Sequence, residues 1–337
     1  MIRGRRALEP VVGFGLLAAA GVAVPLITRD SYHLDVATAT LRNLLLTMSL
    51  RHVMSTGQLN MALVSFMGVG AYASALLVTR AGWSFWAALP VAPLLAALAA
   101  VPVGRVALRV SGPYYFLITF AFLEVLRLVF NNLFVSYLGG PSGLVEIPQP
   151  HSLPLTAGAV AFTTKLAQYW LMLVLFLGSA AVLIRLEFSR LGLVNSAIRQ
   201  GELLAETLGV DVTRYKLGAF VLSAFFAGIA GVFFAHSQQV LHSSDFGLEP
   251  MVLLVVFTVI GGAGSVWGPV VGTVVLAVAS ELLRELHHYE ILVYGLVLMV
   301  VMLFFPEGIV ALPGRLARWL ARRRARGTPA VGASVVP

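Results

Sequence analysis

Residues 185–216 read RLEFSRLGLVNSAIRQGELLAETLGVDVTRYK, a polar island in an otherwise nearly continuous apolar sequence. Apolar runs at 166–186 and 217–240 flank it, each long enough to cross a bilayer. A chain that keeps so long a loop between two such runs presents it to something. Inside the loop, residues 200–209 (QGELLAETLG) read as one short amphipathic helix closed by a glycine. Gly209 suits the position just past a helix end, where φ is positive. Glu202, near the helix start, suits the positive end of the helix dipole. Leu204 and Leu208, at i and i+4, make an apolar stripe able to enter a groove on a cytoplasmic partner. The alternative is a helix lying on the membrane surface.

Composition agrees with the membrane reading. The chain has 337 residues, 59% of them hydrophobic and 11% charged, with mean hydropathy +0.90. Soluble domains carry about 25% charged residues. The 32 glycines suit helices that must approach closely in a bilayer. With no cysteine, disulfides, thiolate metal sites and cysteine nucleophiles are excluded. The net charge of +8 could suggest nucleic acid, but the cations cluster at span ends and toward the C-terminus. That distribution expresses membrane topology and calls for no nucleic acid partner. Arg3, Arg5 and Arg6 precede the first apolar run without a convincing cleavage site after it, so this run reads as a retained helix.

Apolar runs fall near 11–27, 34–56, 57–79, 84–108, 113–135, 166–186, 217–240, 250–266, 268–286 and 289–305. The expected fold is therefore an all-α polytopic membrane protein with about ten transmembrane helices. Arg3–Arg6, Arg105 and Arg109, the 185–216 loop and the arginines from Arg315 to Arg326 all belong on the cytoplasmic side. Both termini are then cytoplasmic, and 136–165 and 241–249 face outward. Residues 1–315 form the transmembrane domain, with the cytoplasmic loop at 187–216, and 316–337 form a basic tail expected to be disordered at its end. The 34–56 run contains Arg42, Arg51 and His52, so it faces a bundle interior or begins later. The pair 250–286 is broken by Gly261, Gly262, Gly264 and Gly268. This break is either a cytoplasmic turn or the tip of a re-entrant hairpin.

The sequence offers little to catalysis. The only lysines, Lys165 and Lys216, do not follow a phosphate-binding glycine loop. His287 and His288 precede Glu290 but, being adjacent, do not share a helix face, and no metal site is expected. Ser111 and Ser265 lack a nucleophile-elbow context. Glu124, Arg127 and Asn131 lie at i, i+3 and i+7 on one helix face, with Asn132 beside them. They read either as a polar strip lining a translocation route or gate, or as an internal ion pair with Asn131 bonding across helices. Gly139, Gly140, Pro141 and Gly143 then make a tight outer turn, a connector or a surface for an extracytoplasmic protein.

Four blocks together resemble the LivM family, the permease subunits of branched-chain amino acid importers powered by ATP-binding cassettes. The first runs from Gly57-Gln58-Leu59 to Gly68-Val69-Gly70-Ala71-Tyr72. The second runs from Tyr114-Tyr115-Phe116 through Glu124-Val125-Leu126-Arg127 to Asn131-Asn132 and the glycine turn. The third runs from Ala197-Ile198-Arg199-Gln200 through Leu208-Gly209-Val210-Asp211 to Ala227-Gly228-Ile229-Ala230-Gly231. The fourth runs from Gly261-Gly262-Ala263-Gly264-Ser265-Val266-Trp267-Gly268-Pro269 to Gly272. One departure stands out: after Gly57-Gln58-Leu59 the family usually has Ser-Leu-Gly-His-Ala, where this chain has Asn60-Met61-Ala62-Leu63-Val64, closer to the sister permease.

The resemblance implies a transmembrane subunit of the bacterial inner membrane, not an enzyme, with no cofactor of its own. It would pair with a second permease of the LivH type. Two cytoplasmic ATPase subunits of the LivG and LivF type would use ATP and magnesium, and an extracytoplasmic binding protein would deliver the substrate. Membrane lipid surrounds the assembly. By this resemblance Arg199, Glu202, Ala205, Glu206 and Gly209 fall in the ATPase-coupling motif. Importers of urea and short amides share the family, so that substrate class stays open. A single-chain, ion-coupled secondary transporter is the reading from a different class, consistent with the broken helix at 261–268.

Overall fold

The computed structural model describes residues 2–28, 30–133, 135–150, 162, 164–282, 299 and 308–311. His287, His288, Glu290, the tail at 316–337 and, apart from residue 299, the run at 289–305 lie outside the described residues.

Among the described residues the fold is helical: α1 (Ile2–Ile27), α2 (Ser31–Met54), α3 (Leu63–Thr79), α4 (Phe85–Ala107), α5 (Pro113–Asn132), the short α6 (Val135–Leu138), α7 (Lys165–Glu187), α8 (Arg190–Gln200), α9 (Glu202–Thr207), α10 (Val212–Gln238), α11 (Leu248–Gly261) and α12 (Gly268–Leu282). The one extended pairing among them is a single bridge between Leu144 and Leu241. Five segments are long and apolar enough to cross a membrane: α4, α5, α7, α10 and Ser243–Gly261, which adds the preceding turn to α11. Shorter apolar helices at Val11–Ile27, Leu63–Thr79 and Gly268–Glu281 accompany them.

Helix starts use polar caps where the sequence supplies them. Ser84, Thr164, Ser189 and Asp211 accept backbone N–H groups at the starts of α4, α7, α8 and α10. The apolar run at 57–79 does not form one helix from its first residue. Gly57 has φ +86°, and the buried Asn60 side chain accepts the Ala62 N–H at 2.9 Å, so a turn precedes α3.

The centre of the bundle is α10, packed on α3 and α4, with α2 against its other side. Close approach there depends on absent side chains. A Cβ on Gly231 would stand 2.0 Å from the Met67 carbonyl oxygen, and one on Gly70 would stand 2.6 Å from the Gly228 Cα. Between the same two helices the fully buried Phe66 and Phe220 rings meet edge to face, 5.4 Å between centroids. The interior prolines of α4, Pro90, Pro93 and Pro102, are accommodated within that helix, and Pro93 faces Gly228.

The bundle has two distinct ends. At one, α2 ends beside α7 and the α8–α9 loop, through Arg51, Ser55 and Gly57. At the other, the turns after α3, α5 and α10 meet. There Arg80 donates to the Ser136 carbonyl at 3.0 Å, and Ser243 donates to Asn131 at 3.0 Å. His236 Nδ1 donates to the Pro148 carbonyl at 2.7 Å, which leaves Nε2 to accept from Ser74 at 2.9 Å. With 27 residues, α10 spans about 40 Å between these ends.

α11 and α12 form a hairpin of 14 and 15 residues. Their contact is glycine on glycine. A Cβ on Gly261 would meet the Gly268 oxygen, one on Gly268 would meet the Gly262 oxygen, and Gly262 itself has φ +109°. Gly264 sits at the open tip with no heavy atom near its missing Cβ. The tip is not free, however: Val266 is buried and lines a small cavity with Met48, Arg51 and Glu187.

Candidate functional site

The polar loop between α7 and α10 is a small folded module. The short helix expected within 200–209 is α9, and a further helix, α8, precedes it with Gly201 between them. Gly201 is extended, with φ −176°, so its backbone turns the chain without needing the left-handed region. The module has its own core of Ile198, Ala205 and Val212, flanked by Val194, Val210 and Tyr215.

The end of α9 matches the expectation for Gly209. This residue has φ +84°, its N–H bonds the Glu206 carbonyl at 2.9 Å, and the Val210 N–H bonds back to Ala205 at 3.1 Å. That pair of bonds is the Schellman closure, which needs a residue without Cβ strain at the left-handed position. Glu202 stands in the first turn of α9, where its place near a helix start put it, and it also makes a contact outside that helix. Its carboxylate lies 2.5 Å from the Nζ of Lys216, which is buried on the first turns of α10. The pair ties α9 to the helix that runs through the centre of the bundle.

A second tie joins the module's approach to α2. Arg51 Nη2 donates to Glu187 Oε1 at 2.6 Å, and Nη1 lies 2.5 Å from Oε2 as an ion pair without hydrogen-bond geometry. The side chains are only 7% and 17% exposed, so this is a desolvated pair. Nearby, a Cβ on Gly57 would lie 3.5 Å from the Arg199 Cα, so the turn before α3 rests on α8. Sequence reasoning missed this weld. Its signal was present as an arginine inside one apolar run and a glutamate directly after another.

Outward, the module presents leucines. Leu193, Leu203, Leu204 and Leu208 are 68–78% exposed, and Arg199, Glu202 and Glu206 are exposed among them. The stripe expected from Leu204 and Leu208 is therefore broader, joined by Leu193 and Leu203. Ala205 points the other way, buried in the module's core.

On α5, Arg127 Nε lies 2.6 Å from Glu124 Oε2, both side chains about one-third exposed. Asn131 accepts from Ser243 and donates to Asn132 at 3.2 Å. Asn131 thus ties α5 to the turn before α11. The outer glycines behave as turn residues: Gly139, Gly140 and Gly143 have φ +80°, +53° and +77°. A Cβ on Gly143 would meet Leu241 and His242, where the 144–241 bridge closes. Among the described residues no cluster of His, Asp or Glu has metal-binding geometry.

Comparison with known proteins follows the same line. Residues 32–306 match the family described as branched-chain amino acid transport system, permease component. The chain is 32% identical over 296 residues to the high-affinity branched-chain amino acid transport system permease protein LivM of Escherichia coli K12, covering 82% of this chain and 69% of that one. The LivM of Salmonella typhimurium LT2 is similar to the same degree. Salmonella typhimurium LivH is 29% identical over 157 residues, 46% of this chain and 50% of that protein. No solved structure matches. On the family match and the likeness to LivM over most of its length, this chain is a multi-pass membrane permease belonging to the LivM-type branched-chain amino acid permease family.

Proposed function

We propose that this chain is one of two permease subunits in an importer driven by separate ATPases, moving branched-chain or related small amino acids by alternating access. The observation that carries the coupling role is the α8–α9 module. It holds four exposed leucines on a folded base, and ion pairs to α2 and α10 fix that base to the bundle. A push on such a surface is transmitted to transmembrane helices and not absorbed in a slack loop. Arg199, Glu202, Glu206 and the leucines form the docking face, while Ala205 and Gly209 shape it. The partners are a LivH-type permease, two ATPases that bind ATP and magnesium, and an extracytoplasmic binding protein.

In the bacterial inner membrane the module end is cytoplasmic, as are both termini. Residues 1–315 form the transmembrane domain and 316–337 a basic cytoplasmic tail. Of about ten crossing segments, α11 with its preceding turn and α12 form a pair that runs between the two ends of the bundle. The turn before α11 meets α5 through Ser243 and Asn131 at the outer end, and the tip at Val266 lies beside Arg51 and Glu187 at the module end.

The test is purification of a tagged chain in mild detergent from its own membranes. Two ATPases and a second permease are expected with it, and Glu206→Arg is expected to lose the ATPases while keeping the permease pair. A lone chain that moves solute into ATP-free vesicles would overturn the importer reading.

A further inference from the structure

A second arginine of α2 makes no direct ion pair among the described residues, and the opposite charge acting on it is Asp245. Arg42 stands near the middle of the helix with its guanidinium over the Phe234 ring, 4.8 Å from the centroid. Its Nε is buried and bonds to nothing among the described residues, where Arg42 also makes no ion pair. An arginine at this depth is expensive unless it faces a cavity or a counter-charge.

Arg42 does face a cavity, of about 390 Å³, between α2, α3, α10 and α11. Asp245 and Glu249, from the turn before α11 and its first turn, supply acidic groups to the lining. Asp245 is held by its own turn, with Oδ2 accepting the His242 N–H at 3.0 Å, so its position does not depend on Arg42. Val64, Met67 and Leu254 supply an apolar wall. One cation, two anions and an aliphatic surface thus line a space within the usual range for small-molecule pockets, about 300–1,000 Å³.

We infer that this cavity is a station for a zwitterionic α-amino acid on its way through the permease. Arg42 receives the carboxylate, Asp245 or Glu249 receives the ammonium, and the Val64–Met67–Leu254 wall receives an apolar side chain. The inference rests on the importer reading and sharpens it. A neutral amide such as urea would meet neither Arg42 nor the carboxylates with a full opposite charge, so the lining favours a zwitterion over it.

The experiment uses the complete importer in liposomes, with its binding protein supplied outside and ATP inside, and follows [³H]leucine uptake. Arg42→Gln is expected to lower the maximal rate at least about tenfold, with Arg42→Lys recovering part of it. The binding-protein concentration giving half-maximal uptake is expected to hold. Size-exclusion chromatography checks that each variant assembles. If Arg42→Gln does not assemble, Asp245→Asn combined with Glu249→Gln takes its place, with the same loss expected. Assembled variants that import leucine at the wild-type rate would overturn the cavity inference and leave the importer reading intact. Absence of ATP-driven leucine uptake by the unsubstituted complex would instead sink the importer reading itself.

Discussion

Arg51 and Arg42 lie on the same helix and have opposite circumstances. Arg51 is desolvated and clasped by Glu187. Arg42 makes no ion pair among the described residues and lines a cavity, with Asp245 as the acidic group acting on it. Two charges buried in one apolar helix thus serve different ends. A pair closed on itself fixes geometry, here between the bundle and the module below it. A charge left open to a cavity has interaction capacity to spare, and the cavity is where a ligand can use it. Burial alone does not separate the two cases; the presence of a direct ion pair does.

The sharpest way to break this comparison is to make Arg51 resemble Arg42. Glu187→Ala strands a buried guanidinium, and breaking such a pair typically removes about 3–5 kcal/mol. Thermal unfolding of the purified permease in detergent should show a larger loss than Gly231→Val, Gly209→Ala or Glu124→Gln produces. Replacing both partners, Arg51→Met with Glu187→Leu, should restore most of the stability, since an apolar pair avoids the desolvation of both charges. If the double variant is as unstable as the single one, the pair is not the element that secures this end.

The next effect concerns the contact that positions Phe234 beneath Arg42. Gly231→Val on α10 places side-chain atoms where the Met67 carbonyl already stands. Overpacking of this kind destabilises by about 1–3 kcal/mol. Because α10 carries the face against Arg42, leucine uptake should fall together with the melting temperature. Smaller still is Gly209→Ala. Open space surrounds the missing Cβ, so the penalty is backbone strain alone, about 1 kcal/mol. Its effect should be local: faster amide exchange at Gly209 and Val210, weaker recovery of ATPases, and unchanged exchange in α10.

These cases also mark what a sequence can disclose. The Gly209 closure was readable because a positive φ leaves a signature in one residue, and the same holds for Gly139, Gly140, Gly143 and Gly262. The apolar content of the spans was readable because it is additive along the chain. Helix starts were less so: in a chain this apolar, hydropathy does not separate the turn at 57–62 from α3, and a side-chain bond from Asn60 marks it instead. Ala205 facing inward was hidden because α9 has only six residues, too few for a periodicity to declare a face. The Arg51–Glu187 and Lys216–Glu202 ties join positions brought together by the fold, which spacing along the chain does not encode.

The smallest expected effect tests which side of the comparison the α5 strip belongs to. Glu124 and Arg127 form an ion pair, like Arg51 and Glu187, but at one turn's spacing and with about one-third of each side chain exposed. Where the exposed third of each side chain meets water, such a pair contributes about 0–1 kcal/mol. If the strip only packs helices, Glu124→Gln should shift the melting temperature slightly and leave leucine uptake within about twofold of wild type. If the strip lines the route or a gate, uptake should fall well beyond that while stability barely moves, because the charge then acts on what passes and not on its neighbour. Ser243→Ala supplies the control from the other side. It removes the bond from the outer turn to Asn131 without touching either charge. A route that depends on the ion pair should tolerate it, whereas a strip that acts by holding α5 to the turn before α11 should respond to Ser243→Ala at least as strongly as to Glu124→Gln.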